Sequence, residues 1–184
     1  APGTPNVIAM KVVNAGRNSR WYAGSGIFRH VWLIKTNKLY LDKWDTFVDA
    51  SELQKKEAVI QFSTIVHNEG LQNQSGKIGI KIYSPAGNEV FSTSQDVILS
   101  EGTPVATSFS LKKPELWSVD TPVLYTAEVS LSSDGKEYDK ISVPFGIRTL
   151  SFSAEKGFLL NGKSMKLKGG CVHHDNGLLG AAAI

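Results

Sequence analysis

Only one cysteine, Cys171, occurs in the 184 residues, so no disulfide can close within the chain and packing alone must hold it together. A single thiol leaves the redox compartment open. Histidine is also scarce, with four residues, and no second cluster of His, Cys or paired acids stands ready to complete a metal site. No run of about 18 apolar residues exists that could form a membrane-spanning helix. No stretch within residues 1–170 repeats its apolar residues at the helical period, which argues against a helical bundle. The net charge is only +3, and Lys and Arg are scattered along the chain. Neither nucleic acid nor an acidic membrane is expected as a partner. No secretory signal is visible, and the compartment stays undetermined.

What the chain does have is apolar residues at 41% against 20% charged, the composition of a globular protein with enough length for one domain of typical size. The most informative stretch is Leu116 to Leu131. In its second half Val123, Tyr125, Ala127, Val129 and Leu131 fall on one face, and Leu124, Thr126, Glu128 and Ser130 on the other. That period of two predicts a central strand. Its first half, between Pro114 and Pro122, predicts a loop that tucks Leu116 and Trp117 against the sheet.

Strands are predicted at 6–14, Ile27 to Thr36, 39–48, 57–67, 77–83, 89–98, 104–111, 122–132 and 137–148. The inward sets are Ala58, Ile60, Phe62 and Val66; Ile78, Ile80 and Ile82; Val105, Thr107, Phe109 and Leu111; and Ile141, Val143, Phe145 and Ile147. Turn residues separate them, and Asp134-Gly135 predicts a two-residue hairpin joining the last two. Seven alternating strands from residue 39 onward predict an all-β fold, an immunoglobulin-like seven-stranded β-sandwich. After Arg148 a second hairpin is expected with Asn161-Gly162 at its tip, its second strand spanning Lys163 to Lys168. Trp32, Trp44 and Trp117 are accounted for by core or interface packing, whereas Trp21 is not. Both ends read as cut from something longer: residues 6–14 are apolar on both faces, and the terminal Gly-Leu-Leu-Gly-Ala-Ala-Ala-Ile has no polar finish. Residues 1–35 and 170–184 are expected to be poorly ordered or to pair with another molecule, leaving strand edges open to a second copy.

One polar cluster follows a strand: Gly169-Gly170-Cys171-Val172-His173-His174-Asp175. Consecutive residues on an extended chain point to opposite sides, which disfavours a shared metal ion. No nucleophile elbow supports a Ser-His-Asp triad. Solvated loop residues, or substrate contacts at the end of a barrel strand, both remain open on the residues alone. His30 and His67 lie in strand patterns and read as structural.

Three groups of residues carry a resemblance. Gly24-Ser25-Gly26-Ile27-Phe28-Arg29-His30-Val31-Trp32-Leu33 resembles the end of the sugar-binding jelly roll of glycoside hydrolase family 2, the β-galactosidase and β-glucuronidase family. Leu116-Trp117-Ser118 with Pro122 and Leu124-Tyr125 is similar to the signature of its immunoglobulin-like domain. Phe145-Gly146-Ile147-Arg148, Leu160-Asn161-Gly162-Lys163 and Lys168 to Asp175 resemble the passage into its catalytic barrel. The resemblance implies three parts: 1–36, a remnant of the jelly roll; 37–148, the sandwich; and 149–184, the first hairpin and strand of a (β/α)8 barrel. It implies a retaining glycosidase acting on a carbohydrate through two glutamates about 5–5.5 Å apart, both on later strands outside this chain. None of Glu52, Glu69, Glu101, Glu115, Glu128 and Glu155 sits in a matching motif, so the chain by itself is expected to be inactive, with no catalytic residue, cofactor or metal. By the same resemblance His174 contacts the sugar and Asp175 supports the site, while His173 stands where some branches have arginine. Arg20, at a position held by an acid in some relatives, and Trp21 reach toward the sugar from the first part. A stand-alone carbohydrate-binding or adhesion module is the other reading.

Overall fold

The computed structural model of the chain describes residues 3, 5, 7–13, 15, 26–27, 30–54, 56–70 and 72–170. Two units divide the chain, Lys35–Leu167 and the pair of segments Ala1–Ile34 and Lys168–Ile184. Within the first lie β1 (Leu39–Leu41), a 3-10 turn (Lys43–Asp45), β2 (Phe47–Gln54), β3 (Glu57–Asn68), β4 (Gln74–Tyr83), β5 (Glu89–Leu99) and β6 (Thr103–Lys112). There follow β7 (Tyr125–Ser133), β8 (Lys136–Phe145), β9 (Leu150–Ser153), β10 (Gly157–Leu160) and β11 (Lys163–Ser164).

All pairings are antiparallel. In one sheet β3 is flanked on one side by β6 and on the other by β2 and then β1, whose partners follow one another along β3. The other sheet runs β5-β4-β7-β8. Three strand positions thus face four, and the chain changes sheet after β3, after β5 and after β6. This is an immunoglobulin-like sandwich. A separate meander, β9-β10-β11, follows it.

Alternation explains the two layers. In β7 Tyr125, Ala127, Val129 and Leu131 are buried while the residues between them are half-exposed. On neighbouring β4 Ile78, Ile80 and Ile82 are at most 1% exposed. They share one apolar core with Ala58, Ile60, Phe62 and Val66 of β3 and Val105, Phe109 and Leu111 of β6. Each large aliphatic side chain buried this way contributes about 1.5–3 kcal/mol. Among the buried polar side chains, Thr46 and Thr64 hydroxyls lie 2.7 Å apart, Thr46 Oγ1 also donates to the Asp42 carbonyl at 2.9 Å, and Ser133 Oγ donates to the Ser75 carbonyl at 2.6 Å. The edges are polar or proline-bearing. Strand β5 exposes Ser, Thr, Gln and Asp, and Pro104 and Pro144 sit on β6 and β8, each of which has a ladder on one side only. Tyr125 forms the tyrosine corner of such folds, its hydroxyl accepting the Glu115 N–H at 2.9 Å.

Both predicted hairpins form. Asp134 and Gly135 have φ of 49° and 73°, Asn161 and Gly162 of 52° and 75°, the left-handed pair that a type I′ turn requires. Other expectations need correction. The strand expected over 39–48 is divided, because Asp42 caps a 3-10 turn by accepting the Trp44 N–H at 2.8 Å. Strand β2 was not expected at its full length. A bulge between Ala50 and Glu52 breaks the period of two, so Val48, Ala50 and Leu53 face inward at unequal spacing. Pro122 delays β7 until Tyr125, and β8 ends at Phe145, where Gly146 meets Trp117. The second hairpin strand is only Lys163–Ser164, and β9 was not anticipated.

The strands expected at 6–14 and Ile27 to Thr36 are absent from the described residues of those stretches. Val7 and Ile8 are each 86% exposed and Leu33 92%, with no ladder partner, and apolar alternation alone does not make a strand without one. Trp32 and Trp44 are likewise exposed and not core residues. No helix among the described residues is long and apolar enough to cross a membrane.

Urea unfolding of the 184-residue chain should rank two substitutions. Ile80→Ala removes a fully enclosed side chain and is expected to cost about 2–5 kcal/mol. Tyr125→Phe loses a single hydrogen bond and is expected to cost about 1 kcal/mol. The reverse order would contradict this assignment of the core.

Candidate functional site

His174, Asp175, Arg20 and Trp21, with His173, lie outside the described residues. The described part of the chain offers two other places where polar side chains converge.

The first surrounds Trp117. Its N–H donates to the Ile147 carbonyl at 2.9 Å, and its own carbonyl accepts from Asn161 Nδ2 at 2.9 Å. Asn161 Oδ1 accepts the Thr149 N–H at 3.0 Å, and the Asn161 N–H donates to the Thr149 carbonyl at 2.9 Å. The Arg148 guanidinium lies 4.9 Å from the centre of the indole ring. Gly146 packs closely here, since a Cβ on it would lie 3.0 Å from Trp117 Cβ and Cγ and the indole would have to give way. The loop before β7, the exit of β8 and the tip of the meander are thereby tied together at Trp117, whose backbone carries the hydrogen bonds and whose half-buried indole packs against Arg148 and Gly146. A cleft of about 450 Å³ opens alongside, lined by Leu116, Ser118, Asp120, Asn161, Lys163 and Ser164 among others. Its polar wall is largely committed: Ser118 Oγ accepts the Thr121 N–H, Ser164 Oγ donates to the Lys156 carbonyl, and Asn161 is used as above. This arrangement positions backbone.

The second is on β3. His67 Nε2 lies 3.1 Å from Asp45 Oδ2 and Nδ1 lies 3.2 Å from Glu101 Oε1, so both ring nitrogens face carboxylates. Glu101 Oε2 also accepts the Asn68 N–H at 2.8 Å. Tyr40 of β1 stacks on the imidazole with ring centres 4.9 Å apart, and its hydroxyl donates to Glu69 Oε1 at 3.0 Å. Burial pulls the imidazole down, but the hydrogen bonds and charges of Asp45 and Glu101 outweigh it and raise its pKa above the ordinary value. Glu101 is lowered, first by the Asn68 N–H and then by His67. Tyr40 is raised, chiefly by its bond to Glu69.

Asp42, Asp45 and His67 each bring one ligand atom within 4.8 Å of the others, the spacing of a small cation site. The hydrogen bonding suits a proton better. Both nitrogens of His67 face carboxylates, so a protonated imidazole could donate to each, and Asp42 Oδ1 already accepts the Trp44 N–H. The sequence had no local signal for this cluster. Its members are 22 and 34 residues apart and meet only through sheet pairing.

Among the six glutamates considered from the sequence, Glu69 holds Tyr40, Glu101 holds His67 and Asn68, and Glu128 lies 3.6 Å from Lys140 Nζ. These are bonds of an outer surface, away from the clefts.

The family model for glycosyl hydrolases family 2 matches residues 39–148. The β-galactosidase BoGH2A of Bacteroides ovatus is 40% identical over 181 residues, covering 97% of this chain and 21% of that protein. A putative β-glucuronidase of Formosa agariphila is 31% identical over 180 residues, covering 96% of this chain and 17% of its own length. In structure, a glycosyl hydrolase family 2 member from Bacteroides cellulosilyticus superposes with a TM-score of 0.82 at 42% identity, over 92% of this chain and 22% of that one. A β-glycosidase from Bacteroides vulgatus gives 0.76 at 34% identity, over 90% and 20%. The chain spans about a fifth of the length of these relatives.

Asn161→Ala should weaken the Trp117 joint, since it removes two side-chain bonds and places alanine at positive φ. The expected loss is about 1–3 kcal/mol in urea unfolding, with a shift in tryptophan emission. Asn161→Asp keeps the acceptor for Thr149 and should lose less. A wild-type midpoint for Asn161→Ala would show that the joint does not depend on this side chain.

Proposed function

The chain belongs to glycosyl hydrolase family 2, and from that premise we propose that it is the non-catalytic immunoglobulin-like domain of a larger retaining β-glycosidase. In this reading residues 1–36 close a sugar-binding jelly roll and 149–184 open the catalytic barrel. The observation that carries it is the extent of the matches. They run across nearly the whole of this chain and take up about a fifth of enzymes named for hydrolysis of galactosides or glucuronides. A stand-alone carbohydrate-binding module is not favoured by matches of that kind.

The division of labour follows from the chemistry. Retaining hydrolysis needs two carboxylates about 5–5.5 Å apart, one as nucleophile and one as acid/base. In this proposal both come from the rest of the polypeptide. The sandwich supplies a stiff support, and the Trp117 joint fixes the hairpin from which the chain proceeds toward His174 and Asp175. His174 would donate or accept a hydrogen bond at a sugar hydroxyl, Asp175 would support the site, and Arg20 and Trp21 would reach toward the sugar from the first part of the chain.

Nitrophenyl β-galactoside and β-glucuronide assays test this on two proteins. The 184-residue chain alone should show no turnover, whereas the full-length gene product should hydrolyse at least one of them. In the full-length protein His174→Ala should lower kcat/KM on the order of 10–100-fold, the loss expected for one substrate hydrogen bond to a buried site. Turnover by the short chain would overturn the proposal, and an unchanged His174→Ala enzyme would remove that residue from the site.

A further inference from the structure

The cluster on β3 has no part in the proposed reaction, yet it joins three segments distant in sequence. His67 bonds the 3-10 turn through Asp45 and the β5–β6 turn through Glu101, and it supports Tyr40 of β1 on its face. The charged and titratable groups around it are Tyr40 from β1, Asp42 and Asp45 from the 3-10 turn and its cap, Glu101 from the β5–β6 turn, and Glu69 beyond β3 through Tyr40.

We propose that His67 is a proton-operated clasp that holds the 3-10 turn Lys43–Asp45, with its exposed Trp44, against the end of the sandwich and releases that turn when the imidazole becomes neutral. The asymmetry of the two arms decides which one opens. A neutral imidazole retains a single N–H and turns a lone pair toward the other carboxylate. Glu101 has a second anchor, the Asn68 N–H on its other oxygen, and Asn68 is fixed in turn through its Nδ2 bond to the Leu99 carbonyl at 2.8 Å. That anchor keeps Glu101 in place to accept from Nδ1–H. The lone pair of Nε2 then faces Asp45 Oδ2, where attraction becomes repulsion. The turn carrying Asp45 therefore moves away, and with it Trp44, which is 75% exposed even when the clasp is closed.

The raised imidazole makes its contribution in full below its ordinary value near 6.5, and it is lost as pH rises through the higher folded value. The lowered Glu101 contributes above its ordinary value near 4.5 and is lost as pH falls through the lower one. The clasp is strongest between about pH 4.5 and 6.5 and opens on the alkaline side through the Asp45 arm.

Two-dimensional NMR of the wild-type 184-residue chain from pH 5 to 9 tests this without a variant that might fail to fold. His67 should titrate above 6.5. The Trp44 indole N–H and the amides of Lys43 to Asp45 should shift with the same midpoint, and above it the Trp44 and Asp45 amides should lose protection on the order of tenfold relative to the intrinsic exchange rate at each pH. The Asn68 amide should keep its protection. Asp45→Asn should lower the His67 midpoint and uncouple the Trp44 signals from it. A His67 midpoint at or below 6.5, a 3-10 turn indifferent to the titration, or loss of protection at Asn68 in place of the turn would each overturn the proposal.

Discussion

Two apolar faces pressed together, with no covalent staple between them, carry the whole of this structure. Ile78, Ile80 and Ile82 of β4 and the buried residues of β7 lie against Ile60, Phe62 and Val66 of β3 and the inner face of β6. With one cysteine in the chain, no internal disulfide helps to hold the sheets together. A one-residue slip would turn each of these side chains to water. The hairpin at Asp134-Gly135 and the tyrosine corner at Tyr125 both act to prevent it, one by setting the pairing of β7 with β8 and the other by tying the loop before β7 to its first residue.

The polar groups lie at the ends and outer surfaces of that core, and they divide by task. Around Trp117 they join one element to the next: backbone groups of Ile147 and Thr149 and the side chain of Asn161 convert the end of the sandwich into the start of the meander. Around His67 two carboxylates balance the charge of a protonated imidazole and hold a short turn on the sheet. On the outer face of the second sheet Lys77, Lys81 and Lys140 each pair with a carboxylate. Such exposed pairs contribute little to stability, but they mark a face at home in water.

Much of the sandwich was legible because burial on one side imposes a period of two. The inward sets of β3, β4, β6 and β7 could be named from that period, and the glycine turns closed the hairpins where expected. The period failed where the backbone departs from regular pleating. The bulge at Ala50 and Glu52 hid most of β2, and the Asp42 cap split a strand that reads as continuous. At residues 7–13 and 30–36 the alternation is present but partners are not, so strand pattern and strand diverge. The His67 cluster was illegible for a different reason, since its contacts are made by pairing between segments with no mark in any local stretch. The residues singled out from the family resemblance, His174, Asp175, Arg20 and Trp21, fall outside the described part, and their roles rest on that resemblance.

The sandwich and the hairpin leading away from it behave as one stiff support. Native-state hydrogen exchange of the 184-residue chain measures this directly. The account predicts that the Asn161 and Trp117 amides exchange only with the cooperative opening that also exposes Val129 in β7. Exchange of those two amides at a far lower opening free energy, with β7 still protected, would contradict it.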